Sequence, residues 1–404
     1  YIEECLESLS SQTFTDFEVV LVDDGSLDGS CEIARDFCRR DSRFRLVEQA
    51  NAGLGAARNA GAAEASGEFI TFVDSDDVVA PHAYALMIDS LRRSGSSFAA
   101  GGARRFNLMS GVRPSWLHGA PFAKRKLATH VFDFLLLASD RMVWNKVYRR
   151  DFWCEGGYEF PHMMYEDYPV TLRAHVEAVT VDVLPVPVYY WRERESGDSI
   201  TQQHAGVDNL ADRVASAMAV LDYVDADAPL LHRTVSELFA EVDIPAIAQS
   251  IADHDPVLAH PVVEATCSLL GRLDGRSLGT RPRFDHLQHE ALRRGDLDWL
   301  ARLAEYRAAD GLRKRPDVVR PHALPGLAPS RRLRLVHDYP MPEPPDRQSR
   351  ALAQAGASEV SLRTTISAVL VGEDNIRVRG TAELRPLPAC ADDTLSIALA
   401  REGS

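Results

Sequence analysis

The sequence predicts an α/β fold built on a mostly parallel sheet, with a helical region after it. Two observations lead to this prediction. Short apolar segments such as Val19-Val20-Leu21-Val22 alternate with segments whose apolar side chains recur at helical spacing, and this alternation is typical of βαβ units. From about Gln203 to Asp310 these strand signals give way to segments rich in Ala and Leu, which indicate helices.

The elements of the predicted sheet follow one another along the chain. Apolar residues at Ile2, Cys5, Leu6 and Leu9 have helical spacing, and the segment over 19–22 is apolar without alternation, as in a strand buried on both faces. The further predicted elements are a helix capped by Asp28, a strand over 44–47, a helix over 54–65 and a strand over 68–73. Right-handed crossovers place the carboxyl ends of such strands at one edge of the sheet.

The length and the changes in pattern predict four regions. A chain of 404 residues exceeds the roughly 250 to 300 residues over which a single core grows. The predicted regions are an α/β domain over 1–202, a helical region over 203–310, a Pro- and Arg-rich linker over 311–360 and the start of a β-domain over 361–404. Strand-like segments over 361–371, 375–384 and 394–400 predict the last region.

Composition and charge argue against several classes of function. The formal charge of −14 speaks against broad binding to nucleic acid, which depends on Lys and Arg. The six cysteines have the spacing of neither a zinc site nor a disulfide framework. No apolar run reaches the ~18 to 20 residues of a membrane span, so we expect a cytoplasmic protein. Because the sequence begins at Tyr1 rather than Met, we also expect a fragment.

Two acidic turns follow the predicted strands over 19–22 and 68–73. They are Asp23-Asp24-Gly25-Ser26 and Asp74-Ser75-Asp76-Asp77, and parallel strands bring both to the same edge of the sheet. Grouped carboxylates repel one another unless hydrogen bonds or a cation compensate. Mg²⁺ or Mn²⁺ suits them because these ions prefer hard oxygen ligands. The alternative is that each turn only caps the next helix.

Three motifs at ordered spacings resemble the family 2 glycosyltransferases, which have the GT-A fold. They are VVLVDDGSLDGS over 19–30, NAGLGAARNAG over 51–61 and GEFITFVDSDD over 67–77. The match covers roughly the first half of the chain, up to about Thr201. The resemblance implies transfer of a sugar from a nucleoside-diphosphate donor. It also implies a first strand, with a loop that helps to hold the nucleoside, which this sequence lacks before Tyr1.

The resemblance assigns a donor site residue by residue. Asp24 corresponds to a carboxylate that hydrogen-bonds the uracil ring of a UDP-sugar. Arg58 corresponds to an arginine near the ribose or diphosphate, where a planar cation suits anionic oxygens; a surface helix arginine is the alternative. Asp74 corresponds to a position near the ribose and the metal, with Ser75 beside it, and Asp76 to the principal carboxylate ligand of Mn²⁺ or Mg²⁺.

The resemblance also implies an acceptor side. The segment Met164-Tyr-Glu-Asp-Tyr168 resembles the family's Glu-Asp motif. Asp167 is then the candidate base that takes the proton of the attacking hydroxyl, and Glu166 is an orienting or metal-side carboxylate. Arg194 and Ser199 belong to a segment that resembles a closing loop, and they would approach the diphosphate. The alternatives are that the two carboxylates only begin a helix and that the loop is an ordinary cationic surface.

These assignments predict an inverting, metal-dependent glycosyltransferase with a UDP-linked donor. The order of domains resembles bacterial enzymes that glycosylate wall teichoic acid or related cell-envelope polymers. We therefore expect a polymeric glycan or polyol-phosphate acceptor, a C-terminal region able to form a homo-oligomer, and peripheral attachment at the inner face of the cell membrane at most. Two alternatives stay open: a non-catalytic glycan-binding or scaffolding protein that keeps the nucleotide-binding fold, and a nucleotidyltransferase.

Overall fold

The structure, a computed structural model, divides into two compact units, Tyr1–Arg281 and Pro282–Ser404. It describes residues 1–195, 206–313, 317–319, 334–336, 338–353, 361–371 and 376–385. Within these ranges, none of the helices combines the length and the apolar character that crossing a bilayer requires. The boundaries of the four predicted regions stay predictions.

The strands of the first unit form a parallel pair and a larger mixed sheet. They are β1 (Val19–Asp23), β2 (Phe44–Glu48), β3 (Phe69–Ile70), β4 (Val78–Val79), β5 (Phe98–Asn107), β6 (Gly111–Pro114), β7 (Lys126–Thr129), β8 (Lys146–Arg149) and β9 (Val181–Arg192). β1 and β2 run parallel, with Val19 opposite Phe44. The larger sheet has the order β3-β8-β5-β9-β4, with β6 beside β5 and β7 beside β9.

The α/β fold is confirmed, and the larger sheet is mixed where the sequence predicted a mostly parallel one. In it β5 and β9 run parallel, while the other described pairs run antiparallel. The difference arises in the segment between Phe98 and Arg149, which supplies β5 to β8. These strands follow one another without the intervening helices that a parallel crossover requires.

The helices of the first unit cover the sheet and then form a helical region of their own. They are α1 (Ile2–Ser10), α2 (Ser30–Arg40), α3 (Leu54–Glu64), α4 (Ala83–Ser94), α5 (Arg150–Gly156), α6 (Asp167–Glu177), α7 (Val207–Asp227), α8 (His232–Leu238), α9 (Ile244–Ser250), α10 (Pro256–Arg272) and α11 (Gly275–Gly279). A single π-helical turn, Phe239–Asp243, joins α8 to α9. The apolar faces of α1 and α4 contribute Leu6, Met87 and Leu91 to one hydrophobic core.

The second unit contains helices and strands that are described by themselves. They are α12 (Arg283–Arg294), α13 (Leu297–Ala308), β10 (Asp317–Val319), β11 (Arg334–Val336), α14 (Arg347–Leu352), β12 (Ser361–Val371) and β13 (Ile376–Arg385). Gly295, in the left-handed region at φ 63°, ends α12, as glycine often does after a helix. β12 and β13 correspond to the predicted strands over 361–371 and 375–384 and are antiparallel. The predicted strand over 394–400 lies outside the described residues.

One side of β1 faces a cavity of about 1170 Å³. Its wall includes Val19–Val22 on β1 and the segment 69–73, which begins with β3. The sequence predicted β1 to be buried on both faces, whereas its residues are only half-buried. The reason is that β1 pairs with β2 along one edge and borders the cavity along the other. The acidic turns after β1 and β3 bring the candidate site to this cavity.

Candidate active site

The cavity gathers most of the predicted site. Its lining includes residues from α3, from the acidic turn after β3, from the start of α6 and from the segment just after β9: Arg58, Asp74, Ser75, Asp76, Glu166, Asp167 and Arg194. Asp23 and Ser26 line it as well, but Asp24 does not. Ser199 lies outside the described residues, so its predicted role stays a prediction.

Arg58 joins the two halves of the site. Its Nη2 lies 2.7 Å from Asp74 Oδ1, and its Nη1 donates to Glu166. Burial opposes the charged form of this guanidinium, but the carboxylates of Asp74 and Glu166 outweigh it, so the pKa of Arg58 is raised. α3 can approach the backbone at Pro161 closely because Gly55 has no Cβ. A Cβ there would lie only 2.7 Å from the carbonyl oxygen of Pro161. Arg58 is therefore a buried bridge, not a surface helix arginine.

The acidic turn after β3 is held by a side chain and a backbone N–H of β9. The backbone N–H of Asp74 donates to Tyr189 Oη at 3.0 Å, and Asp77 Oδ1 accepts the backbone N–H of Arg192 at 2.7 Å. Burial and the charges of Asp74 and Asp76 raise the pKa of Asp77 well above its ordinary value. Asp77 thus anchors the turn from inside, and the half-buried Asp76 remains at the cavity wall.

Asp76 is paired with the predicted closing segment. Its Oδ2 lies 2.7 Å from Arg194 Nε, and the guanidinium of Arg194 also lies 5.3 Å from the centre of the Tyr1 ring. The buried Arg192 next to it donates through Nε to the carbonyl oxygen of Asp76. Arg192 therefore fixes the main chain of Asp76, and Arg194 fixes its side chain.

The two carboxylates at the start of α6 have different surroundings. Glu166 is buried and held by Arg58, and burial raises its pKa to about 7 against the opposing charge of Arg58. Asp167 is half-buried, and no described residue donates a hydrogen bond to its carboxylate or forms an ion pair with it. Burial raises the pKa of Asp167, although the charges of Arg58 and Arg141 lower it. Asp167 is thus the carboxylate with open acceptor positions.

The loop before these carboxylates is fixed by α7. Tyr165 has a positive φ of 62°, a conformation that bulky residues rarely adopt. Its carbonyl oxygen accepts from Ser216 Oγ at 2.8 Å, and its hydroxyl donates to Asn209 Oδ1 at 2.8 Å. The N–H of Met164 donates to Asp212 Oδ2 at 2.9 Å. One helix therefore holds the backbone that presents Glu166 and Asp167.

Asp24, the predicted uracil partner, is engaged within the protein. Its Oδ1 accepts from Gln49 Nε2 at 2.7 Å and from the N–H of Ala52 at 2.9 Å, and its Oδ2 accepts from the N–H of Gly53 at 2.8 Å. A carboxylate offers about four lone-pair positions, so Oδ2 retains capacity for a ligand. Its role toward a nucleotide stays a prediction.

The residues at the acidic turn fit a hard divalent cation that takes only one or two ligands from the protein. Among the described residues, no three His, Cys, Asp or Glu side chains are grouped closely enough to hold a metal by themselves. Mg²⁺ is commonly bound through one or two carboxylates together with substrate phosphates and water. Asp76 lines the cavity and keeps Oδ1 clear of hydrogen bonds to described residues. The donor set therefore suits a metal that the protein shares with a diphosphate.

Two aromatic residues of the site were missed by the sequence analysis. Tyr189 holds Asp74, and its ring stacks on Trp144, with centroids 4.2 Å apart and planes at 14°. Trp144 lines the cavity. Tyr189 lies in an apolar stretch of β9, which conceals its polar role. Trp144 stands two residues before Lys146, which forms a buried ion pair with Asp140 at 2.8 Å.

The first half of the chain resembles known glycosyltransferases in sequence. The sequence model of Glycosyl transferase family 2 matches residues 1–154. EpsH and EpsJ of Bacillus subtilis (strain 168), both named as glycosyltransferases, are each 34% identical to this chain, over 50% and 48% of its length. The matched parts make up 60% of EpsH and 57% of EpsJ, so the chain spans somewhat more than half the length of these relatives.

Solved structures show the same fold. Staphylococcus aureus TarS 1–349 in complex with UDP-GlcNAc has a TM-score of 0.60 and 20% identity, covering 84% of this chain and 93% of the TarS chain. The structure of TarS 1–349 in complex with UDP has a TM-score of 0.58 and 19% identity. At this identity the likeness establishes the fold alone. The similarity to the glycosyl transferase family 2 model lies in residues 1–154 of the chain.

Proposed function

We propose that the chain transfers a sugar from a UDP-sugar to a hydroxyl of a cell-envelope glycan or polyol-phosphate polymer, with inversion at the anomeric carbon. The observation that carries this proposal is the state of Asp167. Its carboxylate lines the cavity without a hydrogen-bond or ion-pair partner among the described residues, while Glu166 beside it is bound by Arg58. A free carboxylate at a cavity wall is placed to accept a proton from a ligand.

The chemistry follows from this arrangement. The acceptor hydroxyl attacks the anomeric carbon, its proton passes to the Asp167 carboxylate, and the bond between the anomeric carbon and the diphosphate oxygen breaks with its electron pair on the diphosphate. The raised pKa of Asp167 makes it a stronger base than an exposed aspartate. Glu166 and Arg58 orient the site, since their ion pair fixes the residue that precedes Asp167.

The donor would lie on the side of the acidic turn. The solved TarS 1–349 complexes contain UDP-GlcNAc and UDP, which favours a UDP-linked donor here. Arg58 and Arg194 supply positive charge, and Asp76 would hold Mg²⁺ or Mn²⁺. When bound, such an ion neutralises charge on the diphosphate and so eases its departure. A scaffolding protein without catalysis would have no need of the unpartnered Asp167, and a nucleotidyltransferase would release pyrophosphate instead of UDP.

The test combines binding and turnover. UDP, GDP and CDP are titrated calorimetrically into the full chain with and without Mn²⁺, and transfer from UDP-GlcNAc to envelope polymers is followed by UDP release. We expect binding selective for UDP and stronger with Mn²⁺. Asp76→Asn should lose the effect of Mn²⁺, and Asp167→Asn should keep UDP binding but lose transfer by at least a thousandfold.

Asp16→Asn provides the matched control, because Asp16 is an exposed aspartate that lines the same cavity. It should bind UDP and turn over like the parent chain. Near-normal transfer by Asp167→Asn would remove its assigned role. A folded chain that binds none of the three nucleotides would overturn the proposal as a whole.

A further inference from the structure

A buried carboxylate at the π-helical turn binds an arginine near the candidate base. Asp243, the last residue of the turn, accepts hydrogen bonds from Arg141 Nη1 at 3.0 Å and from Arg141 Nη2 at 3.3 Å. Arg213 on α7 also approaches this carboxylate, with its Nε 3.1 Å from Asp243 Oδ1. The side chain of Asp243 is 1% exposed and those of the two arginines are 9% exposed. Asp243 therefore engages both terminal nitrogens of Arg141, in a kind of helical turn that is frequent at functional sites.

Arg141 also lies close to Asp167. Its guanidinium is 4.8 Å from the centre of the ring of Tyr168, the residue that follows Asp167. Arg141 is among the charges that most lower the pKa of Asp167, and Arg213 is not. Within the described ranges, Arg141 nevertheless forms its ion pair with Asp243 and none with Asp167. Arg141 thus has two carboxylates near it and is bound to the one that is not the candidate base.

Three cations near Asp167 are each held by another carboxylate. Their charges lower the pKa of Asp167, but among the described residues none of them forms an ion pair with it. The pairs are Arg58 with Asp74 and Glu166, Arg141 with Asp243, and Lys146 with Asp140. Asp167 therefore keeps its acceptor positions open although positive charge lies close to it.

A base at this position depends on such an arrangement. A carboxylate that pairs with an arginine offers fewer lone pairs to a proton and becomes a weaker base. Removing the partner of a buried charge is strongly unfavourable, so Arg141 without Asp243 would turn to the nearby carboxylate with open acceptor positions, which is Asp167. The carboxylate of Asp243 thus decides whether Arg141 is available to Asp167.

We propose that Asp243 is a positioning residue, which binds Arg141 and so keeps the Asp167 carboxylate free to accept the proton of the attacking hydroxyl. The proposal rests on the proposed function and adds to it a residue that does not itself line the cavity. A purely structural role would require only that the charges of the buried cluster balance. The positioning role requires that Arg141 in particular is held.

Two double variants of the full chain separate this role from a structural one. Asp243→Asn/Arg213→Gln and Asp243→Asn/Arg141→Gln each remove one buried anion and one of its two arginines, so the net charge of the cluster is the same in both. The first variant releases Arg141 toward Asp167, and the second removes it. We expect kcat to fall about a hundredfold in the first and only about threefold in the second, with less than about a twofold change in UDP affinity in either. Equal losses of kcat in the two variants would overturn the proposal.

Crystal structures of the parent and of Asp243→Asn/Arg213→Gln test the contact without turnover. We expect the Arg141 guanidinium at hydrogen-bonding distance from the Asp167 carboxylate in the variant, and an Arg141 that stays away from Asp167 there would overturn the proposal. Asp285→Asn is the control, because the Asp285 side chain on α12 is 4% exposed and pairs with Arg307 at 3.0 Å. It should lower the melting temperature and keep the kcat of the parent. A parent chain without any transfer would instead contradict the proposed function, and the two structures would still decide whether Asp243 holds Arg141 off Asp167.

Discussion

The hydroxyl of Tyr189 accepts a hydrogen bond from the backbone N–H of Asp74 at 3.0 Å. This bond ties the acidic turn to the middle of β9, where the Tyr189 ring also stacks on Trp144. The side chain of Tyr189 thus contacts both the acidic turn and Trp144, which lines the cavity. The position of Asp74 and Asp76 therefore depends on Tyr189, which binds the backbone of the turn.

Tyr189→Phe should lower activity more than its small change in volume suggests. Phenylalanine keeps the ring stacking but leaves the N–H of Asp74 without a partner, which is unfavourable by about 1 to 3 kcal/mol. We expect kcat to fall about tenfold and the melting temperature to drop by several degrees. Initial rates and thermal unfolding check this. Tyr190→Phe is the control, since the Tyr190 hydroxyl has no hydrogen bond to a described residue, and it should change neither value.

Arg58→Lys should reduce kcat/KM by at least about a hundredfold, or about 2.7 kcal/mol. A lysine retains the charge but reaches only one of the two carboxylates that Arg58 bridges, so Asp74 or Glu166 is left unpaired in a buried position. Steady-state kinetics of the full chain measure this loss. Arg45 also bridges two carboxylates, Glu18 and Glu64, but its side chain is 38% exposed. An equal loss in Arg45→Lys would contradict a specific role for Arg58.

Ser216→Ala should slow turnover without affecting the donor. The change removes the hydrogen bond that holds the carbonyl oxygen of Tyr165, worth about 1 kcal/mol, and lets the strained loop relax. We expect kcat to fall threefold to tenfold while the KM for the UDP-sugar stays constant. Ser236→Ala removes a comparable buried hydrogen bond, to the N–H of Asp274, far from Tyr165 in sequence. An equal fall in kcat in both variants would contradict a specific role for Ser216.

The contribution of Glu166 to the stability of the fold should decrease as the pH rises from about 4.5 to about 7. Burial raises the pKa of Glu166 from 4.5 to about 7, so the folded chain holds a proton that the unfolded chain releases in this window. Each unit of such a shift corresponds to about 1.4 kcal/mol. Urea unfolding at several pH values measures the slope. Glu166→Gln does not titrate, so its stability relative to the parent chain should rise across this window, and a difference that stays constant with pH would contradict the prediction.

The candidate site could be predicted from the sequence where its residues stand in turns. Asp76 follows a predicted strand, and Asp167 follows a predicted loop. A carboxylate at such a position indicates a ligand or a capping role, and both residues line the cavity. Tyr189 and Ser216 could not be predicted in this way. Their roles depend on which strand lies beneath the acidic turn and which helix packs on the loop at Tyr165, and pairing over such distances leaves no periodic pattern.

The early elements of the fold were predicted well because their apolar spacing is regular. The predicted strand over 44–47 and helix over 54–65 appear as Phe44–Glu48 and Leu54–Glu64. The predicted strand over 68–73 is shorter, because ladder pairing with β8 covers only Phe69 and Ile70. The segment that forms β5 to β8 gave no prediction, since Gly101 and Gly102 interrupt the apolar pattern of β5 although both are buried.

The open side of β1 offers backbone groups to an added strand. Among the described strands β1 pairs with β2 alone and β3 with β8 alone, so each turns a row of free backbone donors and acceptors toward the cavity. Such rows template the addition of strands from other molecules. We therefore expect a short peptide that adds itself as a strand between the two to bind the chain and to raise its melting temperature.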